Sequence, residues 1–461
     1  MRQTASDKPD ERPCDSTRRR LLFGASALPV AAGLGLTVPA GKAGASIKTS
    51  ARIVIAGSGL AGIAVANRLA RELDGASITI VDRKEVHNYQ PGYTLVATGV
   101  WPVDKVIDRN SDLQPRGIEW VKEMVAEFDP DANAVVTDSG RRIGYDYLVV
   151  ATGVHLDYSQ IEGMDVDAIG RNGLTSVYPS SDAAVATWKA MDEFRRKGGK
   201  ALMTLPATPI KCAGAPLKTT FMLVDRLRQA GTLASSEVSF HSALGVVFSV
   251  PKINDKVLAD WAAQNVEVVF NSKLVGVDIA ARRATLVTPD GQRVEEDYDF
   301  IHVVPPMRAP DAVKNSPLAW QEGNFAAGGW LEVDRQTLRH RRYPNVFGLG
   351  DINGTPRGKT AATVKKSVPM VHPEPDRRHR RSRALAAVRR LHLVPDDPAR
   401  GLGDAHRVRL RRQAHPIATD DRPHAGELLR LGHEISPAQA RLHGGRQGPG
   451  LKGDETCTKS G

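Results

Sequence analysis

The chain has 461 residues, room for two or three domains with cores of their own, and a formal net charge of +11. The charge sits at the ends: residues 1–50 carry 8 Lys/Arg against 4 Asp/Glu, residues 371–461 carry 18 against 11, and residues 51–370 balance at 37 against 37. A neutral body gives little support to polyanion binding through a basic face, and three cysteines, Cys14, Cys212 and Cys457, are too few for a disulfide scaffold and form no metal pattern.

Residues 1–50 read as an export leader. Thr17-Arg18-Arg19-Arg20-Leu21-Leu22 opens an apolar run that reaches Val38, and Ala43-Gly44-Ala45 supplies a small-residue cleavage site. The run is short for a membrane span and contains Gly and Pro. A twin-arginine signal is therefore expected, with a periplasmic location for the mature protein and loss of Cys14 with the leader. That route carries folded proteins, which suits a chain that acquires its cofactor before crossing.

Next, Arg52-Ile-Val-Ile-Ala-Gly57-Ser-Gly59-Leu60-Ala61-Gly62 runs an apolar strand into a G-x-G-x-x-G turn. Alanine-rich helical sequence follows to about Leu73, and a second strand over Ser77–Asp82 ends in an acid about 20 residues after the last glycine. Glycines let turn and helix approach a pyrophosphate closely, and the Asp82 carboxylate can accept from ribose hydroxyls. Two later strands, Tyr145–Gly153 ending in Ala-Thr-Gly and Tyr343–Asp351 ending in Gly-Asp, are similar to the signatures of flavoproteins with two dinucleotide-binding domains.

Residues 198–306 repeat the strand and helix alternation, with strands expected at Ala201–Leu205, Glu237–Phe240, Val266–Phe270 and Phe300–Val304. The first should feed a second glycine loop. Instead it leads into Pro206-Ala-Thr-Pro-Ile-Lys-Cys212-Ala-Gly-Ala-Pro216, a turn of prolines and a thiol. A missing phosphate loop argues against reduction by NAD(P)H, and a thiolate in its place points to sulfur chemistry. Lys211 is the neighbour expected to depress the thiol pKa, although adjacent residues in extended chain point apart. Trp188 reads as packing. The body histidines, His87, His155, His241, His302 and His340, lack metal-ligand spacing and read as core or surface residues.

Several segments together, His87–Leu95, Gly117–Trp120, Pro209–Pro216, His302–Met307 and Leu338–Phe347, resemble sulfide:quinone oxidoreductase of the subgroup that includes the mitochondrial enzyme. The resemblance spans residues 51–370. It implies an α/β fold of two Rossmann-like domains of the glutathione-reductase type. Residues 51–165 plus 335–370 would bind FAD, and 166–334 would carry the redox cysteine. By the same resemblance Gln90, Val125 and Gly153 line the FAD site, and Asp351 lies near the ribityl and phosphate groups. A helix starting at Lys359-Thr360-Ala361-Ala362 would place its N-terminus by the flavin. Cys212 matches the first redox cysteine. The implied partners are hydrogen sulfide, a small sulfur acceptor and a membrane quinone, with peripheral membrane association and no nucleic acid. Competing readings are the flavin subunit of a flavocytochrome c sulfide dehydrogenase and a non-catalytic flavin-binding remnant. A type II NADH dehydrogenase is disfavoured by the missing second glycine loop.

Composition changes abruptly after Met370. Residues 371–461 hold 16 Arg and 8 of the 13 His, with no Phe, Tyr, Trp, Met or Asn. Removing one base near His372-Pro373 turns compatible codons into a helix-like continuation, then into Tyr-Asp-Gly-Tyr-Thr-Ser-Cys-Pro, then into a strand-like segment. The second of these resembles the family segment with the second redox cysteine, whose codon would straddle Val394 and Pro395. The tail is therefore expected to be an out-of-frame, poorly ordered product, costing the chain that cysteine and the membrane-associating C-terminal region.

Overall fold

The computed structural model describes residues 46–371. The segment read as an export leader and the arginine-rich tail, with Cys14 and Cys457, lie outside the described residues. Strand β1 (Arg52–Ala56) feeds helix α1 (Leu60–Glu72), whose Ile63, Ala66 and Leu69 recur at helical spacing and are buried. Strands β2 (Ser77–Val81), β3 (Glu119–Val121) and β4 (Tyr147–Val150) extend a parallel sheet around β1. Runs such as Ile53–Ala56 and Ile78–Val81 are buried throughout, as a parallel sheet covered on both faces requires. Between β3 and β4 the chain forms a separate antiparallel sheet, Val125–Asp129, Ala134–Thr137 and Arg142–Gly144.

A short strand β5 (His155–Leu156) leads away, and a second alternation begins. It runs β6 (Leu174–Thr175), α2 (Ser181–Lys197), β7 (Gly199–Leu205), α3 (Gly214–Ala230), β8 (Ser236–Ser242), α4 (Pro251–Ala262), β9 (Val266–Phe270) and β10 (Phe300–His302). The chain returns through β11 (Met307–Arg308), antiparallel to β5, and β12 (Val346–Gly348), which joins β4. The sheet orders are β12-β4-β1-β2-β3 and β6-β10-β7-β8-β9, every pairing parallel. This is the two-fold Rossmann-like α/β architecture expected from the sequence.

Local signals set the boundaries. Ser180 caps α2 by accepting from the Ala183 amide at 3.0 Å, and Gly231, at φ +75°, ends α3 in the left-handed conformation. The last helix, α5 (Ala361–Ser367), starts two residues later than expected. The Thr360 hydroxyl caps it, accepting from the Thr363 amide at 3.1 Å, and leaves Lys359 in the preceding loop. The β5–β11 ribbon is fastened by Asp157, which accepts from Arg308 Nε at 3.0 Å.

Candidate functional site

The three motif glycines do different work. Gly57 has φ +110°, and a Cβ there would stand 2.8 Å from the Ala151 carbonyl carbon. A Cβ on Gly62 would stand 2.9 Å from the Gly57 carbonyl carbon and closer still to its oxygen. These two close the turn on itself. Gly59 instead meets nothing within 4 Å and borders a cavity of about 430 Å³. Asp82, at the end of β2, is buried and accepts from the Ser58 amide at 2.7 Å and the Lys84 amide at 2.9 Å, fixing its carboxylate beside the turn.

The same cavity is bounded by Leu60, Ala61, Gln90, Gly153, Cys212, Asp351, Lys359, Thr360 and Ala361. Residues about 300 positions apart converge because both sheets deliver the ends of their strands there. Ala362 is exposed and does not border the cavity. Val125 does not border it either: Lys122–Met124 carry the chain off the sheet edge, and Val125 opens the separate antiparallel sheet, half-buried against the main core. Two wall residues, Thr152 and Asn88, carry buried side-chain oxygens, Oγ1 and Oδ1, without a hydrogen-bond partner among the described residues. An open glycine cradle with waiting polar atoms and a fixed acid fits a group that carries a pyrophosphate and sugar-like hydroxyls.

Lys359 is buried rather than solvated. Its Nζ donates to the carbonyls of Asp351 at 2.6 Å and Asn353 at 2.9 Å and lies 3.7 Å from the Trp330 ring centre. Burial brings its pKa down to about 8, while Asp351 pulls it back up. Burial also lifts the Asp351 carboxyl above its ordinary value, against the attraction of Lys359 and Lys211.

Cys212 has φ +53°, an unusual conformation for a side-chain-bearing residue. It is held there from both sides: its amide donates to the Lys359 carbonyl at 2.7 Å, and its own carbonyl accepts from the Ala215 amide at 2.7 Å. Lys211 and Lys359 form an isolated parallel bridge, so the cysteine loop is stitched to the loop that precedes α5. The half-buried thiol sits at the N-terminus of α3. Burial raises its pKa, Lys218 lowers it, Asp351 raises it, and the amides of Ala215 and Gly214 lower it. Lys218, one turn into α3, thus takes the part expected of Lys211. The Lys211 amine instead donates to the Tyr178 carbonyl at 3.3 Å.

Sequence reasoning missed Tyr178, Thr152 and Asn88. Asn88 lies inside a segment that carried the family resemblance and was within reach. Tyr178 stands alone between β6 and α2 with no surrounding motif. Of the histidines, His87, His241, His302 and His340 are buried and His155 is half-buried. Among the described residues no group of His, Cys, Asp and Glu is placed to hold a metal ion, and no helix is long and apolar enough to cross a membrane.

Comparison with known proteins agrees with this geometry. The family model for pyridine nucleotide-disulphide oxidoreductases matches residues 51–197. The chain is 37% identical over 319 residues to the mitochondrial sulfide:quinone oxidoreductase of Mus musculus, covering 69% of each protein. It is 36% identical over 326 residues to that of Dictyostelium discoideum, covering 70% of each. The X-ray structure of the sulfide:quinone oxidoreductase from Aquifex aeolicus shares the fold, with TM-score 0.57 at 23% identity over 69% of this chain and 74% of that one. A glycine cradle for a dinucleotide, a thiol on the wall of the same cavity, and relatives at this level of identity together place the chain in the sulfide:quinone oxidoreductase family, as a flavoenzyme whose cofactor is FAD.

Proposed function

We propose that the chain descends from, and in frame performs, FAD-dependent oxidation of sulfide through a persulfide, with electrons passed to a membrane quinone. One observation carries the reading: Cys212 occupies the β7–α3 turn, where a second phosphate loop would lie, and shares its cavity with Gly59, Asp82, Asp351 and Lys359. Bound there, FAD supplies a two-electron acceptor that can return electrons to a quinone.

This chain's residues do the rest. Gly59 and Asp82 form the cradle for the dinucleotide end, with Gly57 and Gly62 shaping the turn behind it. Lys359, a cation fixed by two carbonyls, offsets negative charge at the far end of the cavity. In the in-frame protein, hydrosulfide attacks the disulfide between Cys212 and the second cysteine. A new sulfur–sulfur bond forms on one cysteine, the old one breaks, and its electron pair leaves on the other sulfur as a thiolate. Amides at the start of α3 and Lys218 favour the anionic form of Cys212 against the cost of burial.

The shifted tail removes the second cysteine, and Cys212 is the one cysteine among the described residues. That favours a second reading for the translated chain, a flavin-binding remnant of the enzyme. The export leader supports a periplasmic location. The test compares the native chain, a chain with the frame restored after Val371, and the restored chain with Cys212→Ser. Sulfide should bleach the flavin and reduce a short-chain quinone in the restored chain alone. Brisk turnover by the native chain would refute the frame argument. Reduction of cytochrome in preference to quinone would favour a flavocytochrome subunit, and activity in the Cys212→Ser variant would overturn the role of Cys212.

A further inference from the structure

Tyr178 borders the cavity beside Cys212, is 3% exposed, and its hydroxyl has no hydrogen-bond partner among the described residues. Leaving a buried hydroxyl unpaired costs free energy, so its presence on a cavity wall points to a ligand. The His302 ring packed nearby does not satisfy it. His302 lies 6.4 Å away between ring centres, and both its nitrogens are also unpartnered, so the two side chains do not bond each other. The tyrosine is anchored from its other side, where the Lys211 amine donates to its carbonyl at 3.3 Å and lies 5.9 Å from the ring centre. The hydroxyl is also out of hydrogen-bond reach of the Cys212 sulfur itself. A second sulfur bonded to that thiol extends the group by about 2 Å.

We propose that the Tyr178 hydroxyl donates the hydrogen bond that holds the outer, anionic sulfur of a persulfide on Cys212. The inference rests on the reading that Cys212 carries sulfur. Burial, then the Cys212 anion, then Tyr158 keep the phenol pKa well above its ordinary value, so it stays a protonated donor. Other groups facing Cys212 are Lys218, Asp351, Lys211 and Tyr89. Lys218 and the amides at the start of α3 act on the inner sulfur. Tyr178 is assigned to the outer one.

The test needs neither the second cysteine nor turnover. The full-length holoprotein is reduced, freed of reductant and treated with sodium tetrasulfide. The Cys212 thiolate attacks a terminal sulfur, one sulfur is transferred, and trisulfide leaves with the electron pair of the broken sulfur–sulfur bond. The Cys212 peptide is then followed by alkylation and mass spectrometry. Tyr178→Phe should shorten the lifetime of the Cys212 persulfide about tenfold, while alkylation of the unmodified Cys212 thiol keeps its pH profile. Incorporation of 3-fluorotyrosine at position 178 keeps a donor and should keep the lifetime, which guards against a packing defect in the phenylalanine variant. Equal lifetimes in native and Tyr178→Phe proteins overturn this inference alone. A native Cys212 that takes up no sulfur overturns the role of Cys212 and this inference with it.

Discussion

Two glycines three residues apart should fail in opposite ways when given a methyl group. Gly59 has φ −71°, which alanine adopts freely, and its added Cβ meets no protein atom within 4 Å. Gly59→Ala therefore leaves the apoprotein within about 0.5 kcal/mol of native, as for a substitution that disturbs no packing. The new methyl projects into the cavity where the dinucleotide must approach. Crowding by one methyl costs about 1–3 kcal/mol, which is about a 5- to 150-fold loss of FAD affinity. Gly62→Ala places its methyl 2.9 Å from the Gly57 carbonyl carbon, and backbone cannot rotate away as a side chain would. The turn must open, and since Gly57 is itself pressed against Ala151, the strain passes into β4. Gly62→Ala should lose at least about 1–3 kcal/mol of apoprotein stability as well as flavin. Equilibrium urea unfolding of both apoproteins, with FAD reconstitution followed by quenching of flavin fluorescence, separates the cases. A Gly59→Ala protein that binds FAD as tightly as native, or a Gly62→Ala apoprotein as stable as native, would refute the assignment of these two roles.

Acid should weaken the β5–β11 ribbon. Burial acts to raise the Asp157 pKa, but hydrogen bonds from Ser159, Gln160 and Arg308 take it from 3.8 down to about 2. A depressed carboxyl contributes its stability above pH 4 and loses it as pH falls from about 4 to 2; the shift corresponds to about 2 kcal/mol. Asp157→Asn should flatten that part of the stability–pH curve measured by denaturant titration, and an unchanged acid limb would count against it. At the thiol, Lys218→Met should move the pH profile of Cys212 alkylation by iodoacetamide upward by more than Lys211→Met does, because the Lys211 amine turns to the Tyr178 carbonyl. A larger shift from Lys211→Met would restore the reading made from sequence neighbours.

Residues whose role is set by the chain on either side of them were legible in the sequence. Gly57, Gly59, Gly62 and Asp82 announce themselves through strand, turn and spacing, because the backbone conformation they serve is local. Cys212 was legible for the converse reason: a thiol and prolines stand where the local pattern demands glycine. Legibility fails where a side chain's direction depends on distant packing. Lys211 sits next to Cys212 in sequence, yet its amine turns to the Tyr178 carbonyl, and the lysine that most lowers the thiol pKa is six residues on, in the first turns of α3. Lys359 looked like the first turn of a helix. Placing it before the Thr360 cap buries it under Trp330, a contact 29 residues distant in sequence. Val125 lies off the cavity wall because three residues of connecting chain carry it to the neighbouring sheet. Tyr178 had no signal at all, since nothing around it marks a hydroxyl that finds no partner. Its meaning arises only when the loop between β6 and α2, the cysteine loop and the glycine turn border one cavity. A sequence motif thus locates the cradle of this site, and the unpaired atoms of the folded chain locate the ligand-facing groups that motifs leave out.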